Sequence, residues 1–434
     1  MEKKKIFIAI IALLNLTFYS CANLSVLWWK TNKSTYSSNE KEEKNNDYPI
    51  ILITGYGGWG QNELLGYNYF GGPSDIEKIL RKRGISTFVI VPGGYSSIWD
   101  RACEIYAQIK GGRVDYGKFH SEKYGHERFG RTYEGVYKDW GEKNKITGKI
   151  KKVHLVGHSF GGIAARMIVQ LLEHGNLEES QNTPPNELSP LFQGECNNYV
   201  HSVTTIASPN NGTTLLCSAW PLNPNIQDDL TILLAGITGL NLQGIYDVRL
   251  DQWGIKREKE ESFKNYMNRI KFSKYINASR DSGIWDASPE GTLELNTWVK
   301  AQPNVYYFSF ATEQTHKGWF SNNEYPDWGM FLPFQPFSAL MGSYTQKSPN
   351  RVIIDEKWFK NDGIVNTYSM DGPKIGSEDV IVEFNGSPKI GLWNYMGVLK
   401  NTDHADALGI YSMSLKGARP LYNRIASLLI SLPE

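Results

Sequence analysis

The chain has 434 residues, of which 41% are hydrophobic and 13% aromatic, enough to bury one large core, or a core plus a modest appended subdomain. Its 46 Lys and Arg balance 45 Asp and Glu, and the formal net charge is +1. With a net charge so close to zero, no electrostatic footprint points to nucleic acid or to an anionic membrane. We therefore expect partners recognised by shape or apolar contact, with no nucleic acid and no stable protein partner.

The first 22 residues have the pattern of a secretory signal peptide. Three lysines at 3–5 precede nine apolar residues at 6–14, and a small-x-small cleavage site follows at 20–22. The alternatives are an uncleaved anchor, for which the apolar run is short of the about 20 residues needed, and a lipid-modified Cys21. We predict a secreted protein with a signal peptide at 1–22, a disordered polar linker at 23–47 and one enzyme domain at 48–434.

Strand and helix signals alternate after the linker. The apolar run Ile50–Ile53 predicts a strand buried on both faces, followed by a helix capped by Ser74 and a strand at 86–91. A second unit has a strand at 153–156 and a helix at 161–173. Further strands are predicted at Val200–Ile206, 305–310 and 380–384. This order predicts an α/β fold with a mostly parallel central sheet and helices on both faces.

A G-x-S-x-G sequence, Gly157-His158-Ser159-Phe160-Gly161, lies between the strand and the helix of the second unit. This is the setting in which the motif forms a nucleophile elbow. Glycines on both sides are needed because side chains there would collide with the neighbouring strand and helix. The motif therefore predicts Ser159 as a nucleophile.

A serine hydroxyl needs a histidine base and a carboxylate that orients it, in the chain order Ser, acid, His for this fold. The histidines that follow Ser159 are His174, His201, His316 and His404. The first lies in the helix after the elbow, the second begins a strand and the third has no acid suitably before it. His404 is therefore the favoured base. Asp362, on a Gly-containing loop, is the favoured acid, and Asp403 is its rival.

Two backbone N–H groups are expected to form the oxyanion hole. One comes from the residue after the nucleophile and one from the loop after an early strand. Phe160 and Tyr56 occupy these positions.

The cysteines do not form a disulfide scaffold in a chain of this length. Cys103 lies in a predicted helix, where a buried free thiol is expected. Cys196 and Cys217 flank one predicted strand, and their spacing leaves open whether they pair.

Several longer strings resemble the zinc-containing triacylglycerol lipases of thermophilic bacilli and staphylococci, members of the α/β-hydrolase superfamily. These strings are WDRACE at 99–104, VDYG at 114–117, RFGRTY at 128–133, LDQWG at 250–254 and NDGIVNT at 361–367. The resemblance runs from about residue 49 to the C-terminus. It implies Ser159, Asp362 and His404 as the catalytic triad, and hydrolysis of long-chain acylglycerols at a lipid–water interface.

The same resemblance implies a structural zinc that braces an inserted subdomain at about 100–135 and 245–275. Two imidazoles and two carboxylates suit a closed tetrahedral zinc shell. The implied ligands are Asp100, His120, His126 and Asp251.

The resemblance also implies a calcium site near Gly329 and Asp406, where the family has a second carboxylate at the position of Tyr411. Loss of one hard oxygen ligand is expected to weaken that site. Thr54 and Phe160 are further departures, because relatives usually carry His and Gln there.

Residues 219–245 correspond to the mobile helical lid of the family, with a buried core helix as the alternative. The resulting expectation is a secreted serine lipase. The alternatives are a carboxylesterase or phospholipase with the same machinery, and a non-catalytic binding protein built on a hydrolase fold.

Overall fold

A seven-stranded parallel sheet forms the centre of the computed structural model, in the order β10-β11-β7-β6-β5-β1-β2. Two antiparallel pairs, β3-β4 and β8-β9, lie outside it. The strands are β1 (Ile50–Ile53), β2 (Thr87–Ile90), β3 (Gly112–Asp115), β4 (Phe129–Tyr133), β5 (Val153–His158), β6 (Val200–Ile206), β7 (Tyr306–Glu313), β8 (Thr315–Lys317), β9 (Glu324–Pro326), β10 (Ile381–Glu383) and β11 (Trp393–Lys400).

Twelve α-helices are assigned among the described residues. They are α1 (Ile76–Lys82), α2 (Ile98–Lys110), α3 (Lys118–Tyr124), α4 (Phe160–His174), α5 (Leu177–Asn182), α6 (Pro190–Gln193), α7 (Leu215–Ala219), α8 (Phe263–Lys271), α9 (Gly283–Ala287), α10 (Pro289–Asn296), α11 (Gln335–Met341) and α12 (Ala418–Ile430). Short 3-10 helices are present at Asp251–Trp253, Leu332–Phe334, Glu356–Trp358 and Thr367–Ser369.

The structure describes residues 44–61, 63, 66–219, 247–258, 260–271, 273, 280–410 and 418–434. The predicted signal peptide, the linker up to residue 43, the predicted lid from residue 220 onward and Tyr411 lie outside these residues. No helix within the described ranges is long and apolar enough to cross a membrane.

The two faces of the sheet carry separate apolar cores. Along β1, Ile50 and Leu52 join one core, whereas Ile51 and Ile53 join the other. Successive side chains of a strand point to opposite faces, so a strand covered on both sides is apolar throughout. Helix α12 packs in the first core, and α2 and α4 pack in the second. The predicted α/β fold is therefore confirmed.

One local expectation is wrong, and one question that the sequence left open is answered. Helix α1 is capped by Asp75, whose side chain accepts the Lys78 N–H at 3.0 Å, rather than by Ser74. Cys196 and Cys217 are both free thiols, so they do not form the disulfide that the sequence left open. Cys103 is also a free buried thiol, as expected.

The carboxyl ends of the parallel strands meet at one edge of the sheet, where α/β folds bind their ligands. Ser159 follows β5 directly, and Tyr56 follows β1 after two residues. His404 follows β11, and Asp362 accepts a hydrogen bond from Thr312 near the end of β7. The fold therefore collects the predicted catalytic residues at this edge.

Candidate active site and metal centre

Ser159 lies on a strained turn between β5 and α4. Its backbone angles are φ 55° and ψ −130°. Residues other than glycine rarely adopt this conformation. A Cβ at Gly157 would lie 2.4 Å from the backbone of Gly161, and a Cβ at Gly161 would lie 2.4 Å from the carbonyl oxygen of Ile53. The glycines of the motif are therefore needed for this close approach of helix and strand, and the turn projects Ser159 from the sheet edge.

His404 and Asp362 form a buried hydrogen-bonded pair. His404 Nδ1 lies 2.8 Å from Asp362 Oδ2, and the His404 N–H donates to the backbone oxygen of Asp362 at 3.1 Å. Because a carboxylate only accepts, Nδ1 carries the proton. Nε2 is therefore left as the nitrogen able to take a proton from a hydroxyl.

The Asp362 carboxylate is fixed from both sides. Its Oδ1 accepts the N–H groups of Ile364 at 3.0 Å and Val365 at 2.8 Å, and its Oδ2 accepts the Thr312 hydroxyl at 2.6 Å. The turn that presents it requires Gly363, which has φ 95° and whose Cβ would lie 2.7 Å from Phe334. Asp362 can therefore orient His404 without moving.

The rival acid has a different role. Asp403 Oδ1 accepts the N–H groups of Ala405 and Asp406 at 2.9 and 2.8 Å, and its Oδ2 accepts that of Phe331 at 2.8 Å. These bonds shape the turn that carries His404. Asp403 is therefore a structural residue of that turn, and the carboxylate bonded to His404 is that of Asp362.

A second histidine, His158, connects the His404 turn to the loop after β1. Burial holds the pKa of His158 well below its usual value, and the nearby His404 lowers it further. His158 Nε2 lies 3.2 Å from the His404 carbonyl, and Nδ1 lies 3.0 Å from the Tyr69 hydroxyl. Since a carbonyl only accepts, Nε2 is the donor and Tyr69 donates to Nδ1. The Tyr69 oxygen in turn accepts the Gly55 N–H at 2.9 Å.

The loop after β1 approaches the nucleophile closely. A Cβ at Gly55 would lie 2.9 Å from the Ser159 Cβ. The rings of Tyr56 and Phe160, the two expected oxyanion residues, make an edge contact with centroids 5.9 Å apart.

Ser159, His404, Tyr56 and Phe160 line one cavity. Most of its other walls are apolar. Its apolar lining includes Trp59, Pro209, Leu215, Ile284, Ala287, Phe334, Ile364, Val365, Ala405, Leu408 and Ile410.

A second cluster of ionisable side chains is buried beside α2 and α3. It consists of Asp100, His120, His126 and Asp281, and the candidate ligand atoms all lie within 4.8 Å of one another. His120 Nε2 lies 3.5 Å from Asp100 Oδ1 and 3.3 Å from Asp281 Oδ1, and His126 Nε2 lies 3.2 Å from Asp281 Oδ2. In a tetrahedral zinc shell, bonds of about 2.0–2.1 Å place neighbouring ligand atoms about 3.3–3.4 Å apart. These three separations are close to that spacing.

The hydrogen bonds of the cluster also fit a metal. Within the described ranges, Asp100 Oδ1 and Nε2 of both His120 and His126 are buried and make no hydrogen bond. The outer atoms of Asp100 and His126 are held, because Asp100 Oδ2 accepts from Gln252 at 2.7 Å and His126 Nδ1 lies 2.9 Å from the Glu127 carbonyl. Such outer contacts orient metal ligands. The cluster could therefore bind a metal ion.

The charges of the cluster make metal binding and proton release linked events. Burial raises the pKa of Asp100, and the charge of Asp281 adds to that rise. Burial lowers the pKa of His120, but the Asp281 and Asp100 carboxylates outweigh it and raise the pKa to about 9. A cation must displace the proton that His120 then holds.

One predicted metal ligand is wrong. Asp251 is not in the cluster, and Asp281 occupies the fourth position. The Asp251 carboxylate instead faces the Arg131 guanidinium, which donates to it from Nε and, at 2.8 Å, from Nη2. A carboxylate held by a guanidinium is already satisfied. The cluster therefore extends beyond the predicted inserted segments, which end near residue 275.

Comparison with known proteins places this geometry in a family. The family model described as "Lipase-like, C-terminal domain" matches residues 46–430. The chain belongs to this lipase-like family. A lipase of Staphylococcus epidermidis is 38% identical over 395 residues, which cover 90% of this chain and 53% of the relative. The chain thus spans about half the length of the curated relatives it matches.

Solved structures of similar proteins cover nearly the whole chain. EstA from Clostridium botulinum has a TM-score of 0.83 and 43% identity, covering 93% of this chain and 92% of its own. Lipase 1 from Pelosinus fermentans has a TM-score of 0.80 and 46% identity, covering 89% and 99%. The resemblance to lipases and the predicted hydrolase fold are both confirmed.

Thr54 and Phe160, the two residues that differ from those usual in the resembled lipases, both contact Arg101. The Thr54 carbonyl accepts a hydrogen bond from Arg101, and the Phe160 ring lies 5.4 Å from the Arg101 Cζ. The calcium site stays a prediction, because Tyr411 lies outside the described residues. Burial, and the charge of Asp403, raise the pKa of Asp406 to about 7.

Four residues of the two sites were not predicted from the sequence. They are Tyr69, His158, Asp281 and Thr312. His158 occupies the variable position of the G-x-S-x-G motif, and Thr312 lies just beyond the strand predicted at 305–310. The other two carry no local signal, because their contacts come from distant parts of the chain.

Proposed function

We propose that this protein is a serine lipase that hydrolyses the ester bonds of triacylglycerols through an acyl-enzyme on Ser159. The observation that carries the proposal is that His404, hydrogen-bonded to the buried Asp362, lines the same apolar cavity as Ser159, a serine held on a strained elbow. A nucleophile, a base and an orienting acid are the components that ester hydrolysis by this route requires.

The reaction follows from these positions. Ser159 Oγ attacks the ester carbonyl carbon while His404 Nε2 takes the hydroxyl proton, and the charged imidazole is stabilised by Asp362. The tetrahedral intermediate then expels the alcohol, to which His404 returns the proton. Water attacks the remaining acyl-enzyme with His404 again as base, and the fatty acid is released. Three bonds from the protein fix Asp362, so His404 keeps the required tautomer throughout.

The negative charge of the intermediate needs donors that are already in place. The backbone N–H groups of Tyr56 and Phe160 are the proposed donors. Support comes from the strained turn, which starts α4 at Phe160, and from the close approach of Gly55 to Ser159.

A lipid substrate is favoured over a small soluble ester by two features. The cavity walls around Ser159 are largely apolar and suit an acyl chain. Three aromatic side chains are also almost fully exposed, Trp319 at 92%, Phe320 at 99% and Trp328 at 98%. Exposed apolar surface of this kind is typical of proteins that contact lipid or other proteins.

Zinc is the proposed metal of the second cluster. Two imidazole nitrogens and two carboxylate oxygens at tetrahedral spacing are ligands that zinc accepts, and four protein ligands leave no position for a catalytic water. Bound zinc would supply structural cross-linking among α2, α3 and the segment at Asp281. It takes no part in the proposed reaction. Secretion, the lid at 219–245 and calcium binding remain predictions from the sequence.

The test is a substrate profile of the purified protein. Hydrolysis is measured on an emulsified long-chain triacylglycerol and on a soluble short-chain ester, with Ser159→Ala and the exposed-serine control Ser180→Ala. Long-chain hydrolysis that Ser159→Ala abolishes and Ser180→Ala retains is the expected result. Short-chain activity alone would instead indicate a carboxylesterase. No hydrolysis of either ester would favour a binding protein.

A further inference from the structure

Arg101 is a buried cation in the first turn of α2, next to the metal-cluster residue Asp100. Arg101 is 0% exposed. Nη1 donates to the Gly93 carbonyl at 2.6 Å, and Nη2 donates to the carbonyls of Thr54 and, at 3.3 Å, Gly55. One guanidinium therefore binds backbone oxygens of two different loops.

The first of these loops carries Tyr56, an expected oxyanion donor, and the second loop is bonded to the first. The Thr54 and Gly55 carbonyls lie directly before Tyr56, and the Gly57 N–H donates to the Gly94 carbonyl at 2.8 Å. The loop after β1 and the loop after β2 are therefore joined both by Arg101 and by this backbone bond.

The Gly55 carbonyl and the Tyr56 N–H belong to the same peptide plane. In a trans peptide these two groups point in opposite directions. A donor that holds the Gly55 oxygen on one side therefore fixes the direction of the Tyr56 N–H on the other. A positive charge on the oxygen also polarises the peptide and makes its N–H a stronger donor.

The side chain of the other expected oxyanion residue, Phe160, lies next to the same cation. The Arg101 Cζ lies 5.4 Å from the centroid of the Phe160 ring, and that ring contacts the Tyr56 ring. Phe160 is thus packed against Arg101, and Tyr56 is packed against Phe160.

We propose that Arg101 is the positioning residue of the oxyanion hole, holding and polarising the Gly55–Tyr56 peptide so that its N–H meets the developing negative charge. This inference rests on the proposed serine-hydrolase function. Arg101 contacts no substrate in this role, and it acts only through the peptide. A shared helical turn also connects it to the metal cluster through Asp100.

A second buried arginine, Arg166, serves as the control for a purely structural role. Arg166, on α4, is also buried and donates to the side chains of Asn296 at 2.7 Å and Asn210 at 3.4 Å. Loss of either guanidinium leaves buried acceptors unsatisfied, so both replacements are expected to lower stability. Only loss of Arg101 is expected to change the chemistry of the remaining folded molecules.

The experiment compares Arg101→Met, Arg101→Lys and Arg166→Met with the unaltered chain on a soluble ester. The concentration of folded sites is set by titration with a phosphonate that labels Ser159. For Arg101→Met we expect kcat per titrated site to fall about 100-fold with KM nearly unchanged, the usual effect of losing an oxyanion donor. Arg101→Lys, which keeps the charge but not the fork of donors, should lose about 10-fold. Arg166→Met should keep its kcat per site.

The affinity for a trifluoromethyl ketone provides a second readout, because loss of a purely structural residue would not change this affinity in the folded molecules. The adduct of the ketone with Ser159 places an oxyanion in the hole, so its affinity should fall by the same factor as kcat/KM. The proposal is overturned if kcat per site stays within about threefold of normal in both Arg101→Lys and Arg101→Met. If Arg101→Met does not fold, the result for Arg101→Lys decides the question alone. If Ser159→Ala remains active, the proposed function itself fails. An inactive Ser159→Ala with normal Arg101 variants refutes only the role of Arg101.

Discussion

Replacement of Asp281 by alanine should remove the metal ion, whereas replacement of Asp251 should not. Asp281 faces both imidazoles of the cluster, at 3.3 Å from His120 and 3.2 Å from His126. Asp251 faces Arg131 instead. The two aspartates therefore form a matched pair, one a proposed ligand and the other an ion-pair partner of Arg131.

The size of the effect follows from the geometry. Ligand-atom separations of 3.2–3.5 Å correspond to tetrahedral bonds of about 2.0–2.1 Å, the range for zinc. Loss of a residue that merely orients a ligand weakens metal binding about 10–100-fold, and loss of a ligand weakens it more. A 100-fold weaker site corresponds to about 2.7 kcal/mol of metal-dependent stability, which is a fall in Tm of about 3 °C for a chain of this length.

The assay combines metal content, X-ray absorption and thermal unfolding. The unaltered chain and Asp251→Ala should each hold one zinc per chain with bonds near the calculated length, and a chelator should lower the Tm of both. Asp281→Ala should contain little zinc, and its Tm should not respond to the chelator. Stoichiometric zinc in Asp281→Ala, or its loss in Asp251→Ala, would refute this choice of ligands.

Two further predictions concern buried polar groups. Tyr69→Phe removes the hydroxyl between Gly55 and His158, and each unsatisfied group should cost about 1–3 kcal/mol of unfolding free energy, with a lower kcat. Normal kcat and stability would contradict this. Burial, aided by the charge of Lys152, lowers the pKa of His201 from 6.5 to about 4. The folded state therefore disfavours protonation of His201, so the contribution of this residue to stability is complete above pH 6.5 and is lost as the pH falls toward 4. His201→Phe should abolish up to about 3 kcal/mol of that loss, and an unchanged slope of Tm with pH would exclude His201 as its source.

The fold was predictable where burial imposes a simple pattern. β1 and β6 have the predicted bounds, and every residue in both is buried: β1 is wholly aliphatic, and β6 is apolar or small apart from His201. β11 was not predicted. Its residues include Asn394, which is buried but donates to the Tyr307 and Lys389 carbonyls, and Gly397, which has φ 88° next to a shift in register. Polar and irregular residues break the alternation on which strand prediction depends.

Some residues of the candidate sites could likewise be predicted from the sequence, and others could not. Ser159 and its glycines are encoded by one short stretch, and Asp362 and His404 follow from chain order. Asp281 does not, because an aspartate that binds metal and one that pairs with arginine look alike in sequence. Only the folded chain shows that Arg131 already holds Asp251.

The most direct test of the central claim is to trap the acyl-enzyme. The protein is mixed with a long-chain p-nitrophenyl ester and quenched within one turnover, and the acylated residue is located by peptide mass spectrometry. The account predicts a burst of about one p-nitrophenol per chain and a single acyl group on Ser159. It also predicts that Ser159→Ala shows neither and that its turnover is lower by about 10⁴-fold or more. Turnover without acylation of Ser159, or an acyl group on another residue, would contradict it.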